Sequence, residues 1–150
     1  MGPGTFVGVD VSGEWFDIAV VGGGNQRVRH DSAGIDELVS SLVAEGPVLV
    51  VMEAAGGLER ALACALLAAG VPVAVVNPRR IRDFARATGR LAKTDAIDAQ
   101  IIASFGEALK PSVSRLSDAS EQELKDLDTR RRQLVGMLIA ERNQLRTSIA

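Results

Sequence analysis

Four carboxylates are the residues of this sequence whose types and placement could do chemistry. Asp10 sits inside the apolar run Thr5–Val11, Glu53 directly follows Val48–Met52, and Asp95 and Asp98 stand three apart after a basic segment. A carboxylate within an apolar run is costly unless something compensates its charge. For Asp10 taken singly, a cap at a strand end or an ion pair with an Arg would suffice. The other compensation is a metal ion. Asp95 and Asp98 likewise have two readings. Acids in a first helical turn are favoured by the helix dipole. If Thr94 caps that helix, however, both carboxylates share one face of its first turn. Like charges so close raise at least one pKa unless a cation sits between them.

The elements that must position these acids can be read along the chain. At 150 residues, with 47% hydrophobic and 24% charged residues, the sequence can bury a core, and one domain plus an appendage is expected. The single Cys64 excludes an internal disulfide framework, and no run approaches the ~18 apolar residues of a membrane span. A reducing cytosol is therefore the expected compartment, and no signal peptide is visible. Met1-Gly2-Pro3-Gly4 precedes the first strand and contributes no element to the expected fold. The net charge of −2 favours no partner class by itself.

After the first strand, Glu14–Val21 reads as a second, joined through Ser12-Gly13 as a hairpin. Beyond the turn Gly22-Gly23-Gly24-Asn25, Gln26–His30 returns as a polar edge strand, where charge discourages pairing with a stray chain. A helix starting at Ser32 or Asp36 carries Ile35, Leu38, Val39, Leu42 and Val43, and Gly46-Pro47 stops it. Val48–Met52 is wholly apolar, as expected of a central parallel strand. An Ala/Leu-rich helix over 58–69 and a strand over 71–76, closed by Asn77-Pro78, complete a βαβ unit. Arg79, Arg80, Arg82, Arg86, Arg90 and Lys93 then crowd one segment. A helix from Thr94 through Asp98, Ile101, Ile102 and Phe105 ends near Gly106, and Lys110-Pro111-Ser112 reads as a linker. From about Ser117 one long helix carries Leu124, Leu127, Leu134, Leu138, Leu145 and Ile149 as a stripe. A strict heptad would put Arg131 and Glu141 in its seam. The sequence ends in mid-helix, so the natural protein is expected to continue.

Three antiparallel strands, then helix, strand, helix, strand, helix, is the order of the ribonuclease H-like (RuvC-like) α/β fold: a mixed five-stranded sheet flanked by helices, here followed by a long C-terminal helix. That order sets the first and fourth strands side by side, making neighbours of Asp10 and Glu53, and a closing helix would bring Asp95 and Asp98 over them. Such a cluster requires divalent cations. Oxygen-only ligands select Mg²⁺ or Mn²⁺, and two ions about 3.5–4 Å apart would clamp the attacking and leaving oxygens of a displacement at phosphorus. Asp10 would serve both ions, Glu53 and Asp98 one each, and Asp95 would share a position. The basic segment leads into this site, and Arg and Lys make most phosphate contacts. An ordinary basic surface helix is the alternative. Lys93 is the expected contact to the scissile phosphate or to the acids, with Arg86 and Arg90 as backbone clamps.

Gly8-Val9-Asp10-Val11-Ser12, Met52-Glu53-Ala54-Ala55-Gly56-Gly57, Asn77-Pro78-Arg79-Arg80 and the run from Phe84 to Ala99, with its Lys93-Thr94-Asp95-Ala96-Ile97-Asp98-Ala99, resemble the DEDD transposases of the IS110 class of bacterial insertion sequences. The Piv-type DNA invertases are similar. The resemblance covers residues 5 to 106; Leu58 stands where the family often has Tyr. It implies a RuvC-like DEDD catalytic domain over 5–109 and, over 113–150, the start of a helical coiled-coil segment used in homo-oligomeric assembly. It further implies a C-terminal domain, outside this chain, that supplies a nucleophilic Ser. The implied partners are DNA and, in some members, a structured guide RNA; the implied setting is the bacterial cytoplasm, with no membrane.

Other features weigh less. Trp15 is expected to pack on the core rim rather than to stack on nucleic acid, His30 shows no partner, and Cys64 reads as a small core residue. Gly8 and Gly13 do not make a dinucleotide fingerprint. An actin- or sugar-kinase-like ATPase also opens with Gly-x-Asp and a hairpin, but it needs a phosphate-binding loop in a second, duplicated domain that this length does not hold. The remaining alternatives are a non-catalytic module for nucleic-acid docking and dimerisation, and a DNA invertase or junction resolvase of the same fold.

Overall fold

The computed structural model describes residues 4–90 and 97–149. It divides into two compact units, residues 1–116 and 117–150. In the first, the strands β1 (Phe6–Val11), β2 (Trp15–Val20), β3 (Asn25–Arg29), β4 (Leu49–Glu53) and β5 (Val73–Val76) form one sheet in the order β3-β2-β1-β4-β5. The β1–β2 and β2–β3 pairs are antiparallel, and β1–β4 and β4–β5 are parallel. Each strand lies where the apolar patterning puts it, to within one or two residues at either end.

Alternation along β1 assigns the two faces. Val7, Val9 and Val11 point to one side, where Phe16, Leu38, Leu42, Leu62 and Leu66 bury them under α1 (Ser32–Glu45) and α2 (Arg60–Ala68). Phe6 lies on the other side with Val51, Ile81, Ile102 and Phe105, beneath α3 (Pro78–Ala87) and α4 (Ala99–Leu109). Helices on both faces of a mixed sheet in this strand order make a ribonuclease H-like α/β fold.

Local chemistry explains the helix ends. Asp31 caps α1 by accepting from the Gly34 amide at 2.8 Å, and Gly46 closes it at φ 60°, a left-handed conformation glycine adopts at little cost. Asn77 caps α3 by accepting from the Arg79 amide at 2.9 Å, with Pro78 in its first turn. Asn77-Pro78 thus starts a helix as well as ending the strand, and that helix carries much of the basic segment.

The start of α4 corrects the sequence reading. The helix begins at Ala99, and Asp98 is its N-cap, extended (φ −113°, ψ 171°) and accepting from the Ile101 amide at 2.9 Å. Asp is among the strongest N-caps, so it ends the helix where a carboxylate can reach back to a free amide. Thr94, the expected cap, lies outside the described residues. The expected linker also does more than connect: Ser114 donates its backbone N–H to the Val73 carbonyl at 2.7 Å and accepts from the Val75 amide through Oγ at 3.1 Å. Those bonds cover the open edge of β5.

The second unit consists of the helix α5, which runs Leu116–Ile149 and leaves Leu124, Leu127, Leu134, Leu138, Leu145 and Ile149 exposed. No helix among the described residues is long and apolar enough to cross a membrane.

Candidate metal centre

Strand register places two of the four acids side by side. Val9 pairs with Met52 in the β1–β4 ladder, so Asp10 and Glu53 occupy the next position of each strand. Both lie on the α3/α4 face, since Val9 and Met52 belong to the core on the opposite side. Both are half-buried at the carboxyl end of parallel strands, where open α/β sheets bind ligands.

Glycine allows the covering helix to come close. A Cβ at Gly8 would run into the Ala99 carbonyl oxygen and the Ala103 amide nitrogen, and one at Gly106 would stand 2.6 Å from a Val51 methyl. With no side chain at either point, α4 lies flat on β1 and carries Asp98 toward Asp10, two residues beyond Gly8. Gln100 in the first turn fixes the placement, its amide donating to Asn25 Oδ1 at 2.6 Å and to the Gly23 carbonyl at 3.4 Å.

The electrostatics follow from this crowding. Burial pushes the Asp10 carboxyl above its ordinary 3.8, with further upward pressure from the charges of Asp17 and then Asp98. Burial also raises Glu53 above its ordinary 4.5; the Asp10 charge adds to this, and the Arg82 guanidinium opposes it. Asp10, Glu53 and Asp98 therefore share one field, Asp98 with one oxygen engaged in its cap. Asp95 lies outside the described residues. Among the described residues no three His, Cys, Asp or Glu side chains converge closely enough to hold an ion together.

The basic residues separate by position. Arg79, Arg80, Arg86 and Arg90 are exposed. Arg80 lies over the Phe105 ring at 5.6 Å, and Arg86 stands 3.9 Å from Asp83. Arg82 is half-buried and turns its charge toward Glu53, so it belongs to the acidic centre more than to an outer surface. Lys93 lies outside the described residues.

Three side chains near the centre escaped the sequence reading. Asp17 stands directly opposite Asp10 in the β1–β2 ladder, and Arg27 directly opposite Asp17 in the β2–β3 ladder, binding it through Nε at 2.7 Å and Nη2 at 3.2 Å. Counting outward from the Ser12-Gly13 hairpin would have found the pair. Glu59 is buried and accepts from the Ala55 and Gly57 amides, both at 3.0 Å, which shapes the turn after Glu53. Its signal was a carboxylate two residues after paired glycines. His30, assigned no partner from sequence, stacks on Phe16 with centroids 4.2 Å apart, and its Nδ1 lies 2.6 Å from the Ser12 carbonyl. It thereby braces the turn that follows Asp10.

No curated protein matches the chain. A family model described as a transposase, the DEDD type of the IS110 class, matches residues 7–149. That match spans both compact units and includes Asp10, Glu53 and Asp98, so the chain belongs to the IS110-class DEDD transposases.

Proposed function

We propose that this chain is the metal-dependent catalytic part of a transposase that acts on DNA phosphodiesters, with Asp10, Glu53, Asp95 and Asp98 as its acidic ligands. The observation that carries the reading is the pairing of Asp10 and Glu53 at adjacent strand ends, both with raised pKa values. The donor set fits Mg²⁺ or Mn²⁺, because such ions are commonly held by one or two carboxylates, with water and substrate phosphate completing the shell. When bound, two ions would supply charge neutralisation and activation of the attacking oxygen.

The chain's own residues have separable tasks in this reading. Asp10 and Glu53 present acceptor oxygens from a rigid sheet, which holds a site more precisely than a loop does. Asp98 reaches the same field from the start of α4, and Gly8 sets how near it comes. Arg82 offsets the Glu53 charge before an ion arrives and is placed to meet a phosphate afterward. Arg79, Arg80, Arg86, Arg90 and Lys93 steer the DNA backbone toward the acids.

Assembly is assigned to α5, whose exposed leucines call for a partner surface and suit a second copy of the same helix. A guide RNA, used by some of the family, would be a further ligand of the complete recombinase. In the family, recombination also needs a serine from a separate domain, and that role is assigned to no serine here. The 150 residues alone are expected to bind ions and DNA without completing strand exchange.

The test is calorimetric titration of the chain with Mn²⁺, beside Asp10→Asn and Glu53→Gln. Saturable binding in the parent and its loss in both variants is the expected result. Equal heats in all three would leave a docking and dimerisation module in place of a catalytic domain.

A further inference from the structure

The geometry points to a second DNA contact, on the open face of β2 and β3: Arg27 and Arg29, arranged around Trp15, take backbone phosphates of the DNA strand that reaches the Asp10–Glu53 centre. The inference rests on the reading that DNA is brought to that centre, and it adds a surface outside the basic segment.

Register makes the surface continuous with the centre. Asp10, Asp17 and Arg27 stand opposite one another across three strands, and Trp15 and Arg29 form the neighbouring cross-strand pair on the same face. Adjacent strands lie about 4.8 Å apart, which puts the Arg27 backbone about 10 Å from that of Asp10. A nucleic-acid strand crosses that distance within a nucleotide or two. The buried neighbour Phe16 points to the opposite core, which fixes Trp15 on the side of the acids.

Charge and shape both fit a phosphate backbone. The Arg27 and Arg29 guanidiniums lie 5.5 Å and 5.2 Å from the Trp15 ring centroid, held by cation–π attraction and, for Arg27, by its ion pair with Asp17. Their side chains are 60% and 68% exposed. Arg27 gives Nε and Nη2 to Asp17 at 2.7 Å and 3.2 Å and keeps Nη1 outside that pair for a phosphate, whereas Arg29 meets Asp31 only at 3.6 Å, an exposed ion pair that holds its members weakly. Charges on an edge strand are also explained by protection against stray pairing. That purpose does not call for a Trp between two guanidiniums beside a carboxylate centre. Trp15, Arg27 and Arg29 line one surface groove together with Asp31 and Glu37.

Trp15 is the single tryptophan of a sequence that has no tyrosine, so its emission reports on this surface alone. The experiment titrates the intact chain with a short fluorescein-labelled DNA duplex in EDTA, reading label anisotropy and Trp15 emission together. Expected are a Trp15 change that tracks the anisotropy and persists in Asp10→Asn, and weaker binding by Arg27→Gln/Arg29→Gln. The double variant should also lower the slope of log K against log salt by about 2, one for each lost phosphate contact. Anisotropic binding with silent Trp15 and an unchanged slope overturns this surface and leaves the metal-centre reading standing. A Trp15 response to an RNA hairpin but not to the duplex overturns the assignment to DNA. No binding of the duplex at all overturns both.

Discussion

Gly8 of β1 lies so close under Ala103 of α4 that a side chain at Gly8 would collide with the helix backbone. The contact is strand backbone against helix backbone and carries no chemistry, yet it sets the distance at which Asp98 approaches Asp10. Gly8→Ala should therefore cost about 1–3 kcal/mol as an overpacked interior site. It should weaken Mn²⁺ binding as well, because α4 must lift. Urea unfolding and calorimetry on the same samples check both effects; Gly13→Ala, in a turn with open space around it, should change neither.

Asp10 and Glu53 give the metal-free protein a pH dependence of defined sign. Both folded-state pKa values are raised, so their contribution is fully present below the ordinary values of 3.8 and 4.5 and is lost as pH rises through the raised ones. In EDTA, the stability contributed by this pair should fall on going from mildly acid to neutral pH. Asp10→Asn should flatten that decline. Saturating Mn²⁺ should reverse it, since the ion binds the ionised form. Thermal unfolding across that pH range, with and without Mn²⁺, measures all three.

Glu59 holds the turn after Glu53 through one oxygen that accepts from two amides. Glu59→Ala leaves those half-buried donors without that acceptor and should destabilise the chain by about 1–3 kcal/mol. Glu59→Gln keeps an acceptor oxygen in the same place and should recover most of the loss, as read from urea midpoints. Equal destabilisation by both variants would mean that the carboxylate charge, and not its geometry, matters.

The exposed leucines of α5 should drive self-association. Sedimentation of the intact chain is expected to show a concentration-dependent oligomer, and Leu134→Glu with Leu138→Glu should shift it toward monomer without altering Mn²⁺ binding. Monomer at all concentrations in the parent would remove the assembly role from this helix.

The sheet was legible because burial on both faces makes β1, β4 and β5 continuous apolar runs, and because Gly-rich turns punctuate β2 and β3. The neighbouring of Asp10 and Glu53 followed from strand order alone. The start of α4 did not, since Thr94 and Asp98 are both good caps and periodicity cannot choose between them. Asp17 was missed because an alternating strand carries acids on its outer face as a matter of course, and only its register against Asp10 sets it apart. Arg82 was grouped with its basic neighbours because one-dimensional spacing does not tell a helix's sheet-facing side from its solvent side. The family match adds the transposase identity, and Asp95 and Lys93 lie outside the described residues.

The most direct measurement is a crystal of the chain soaked in Mn²⁺ and read by anomalous diffraction. Peaks between the Asp10 and Glu53 carboxylates, with Asp98 and Asp95 completing the shell, are the predicted result. A saturated soak with no peak there, or with manganese bound only on other surfaces, would contradict the account.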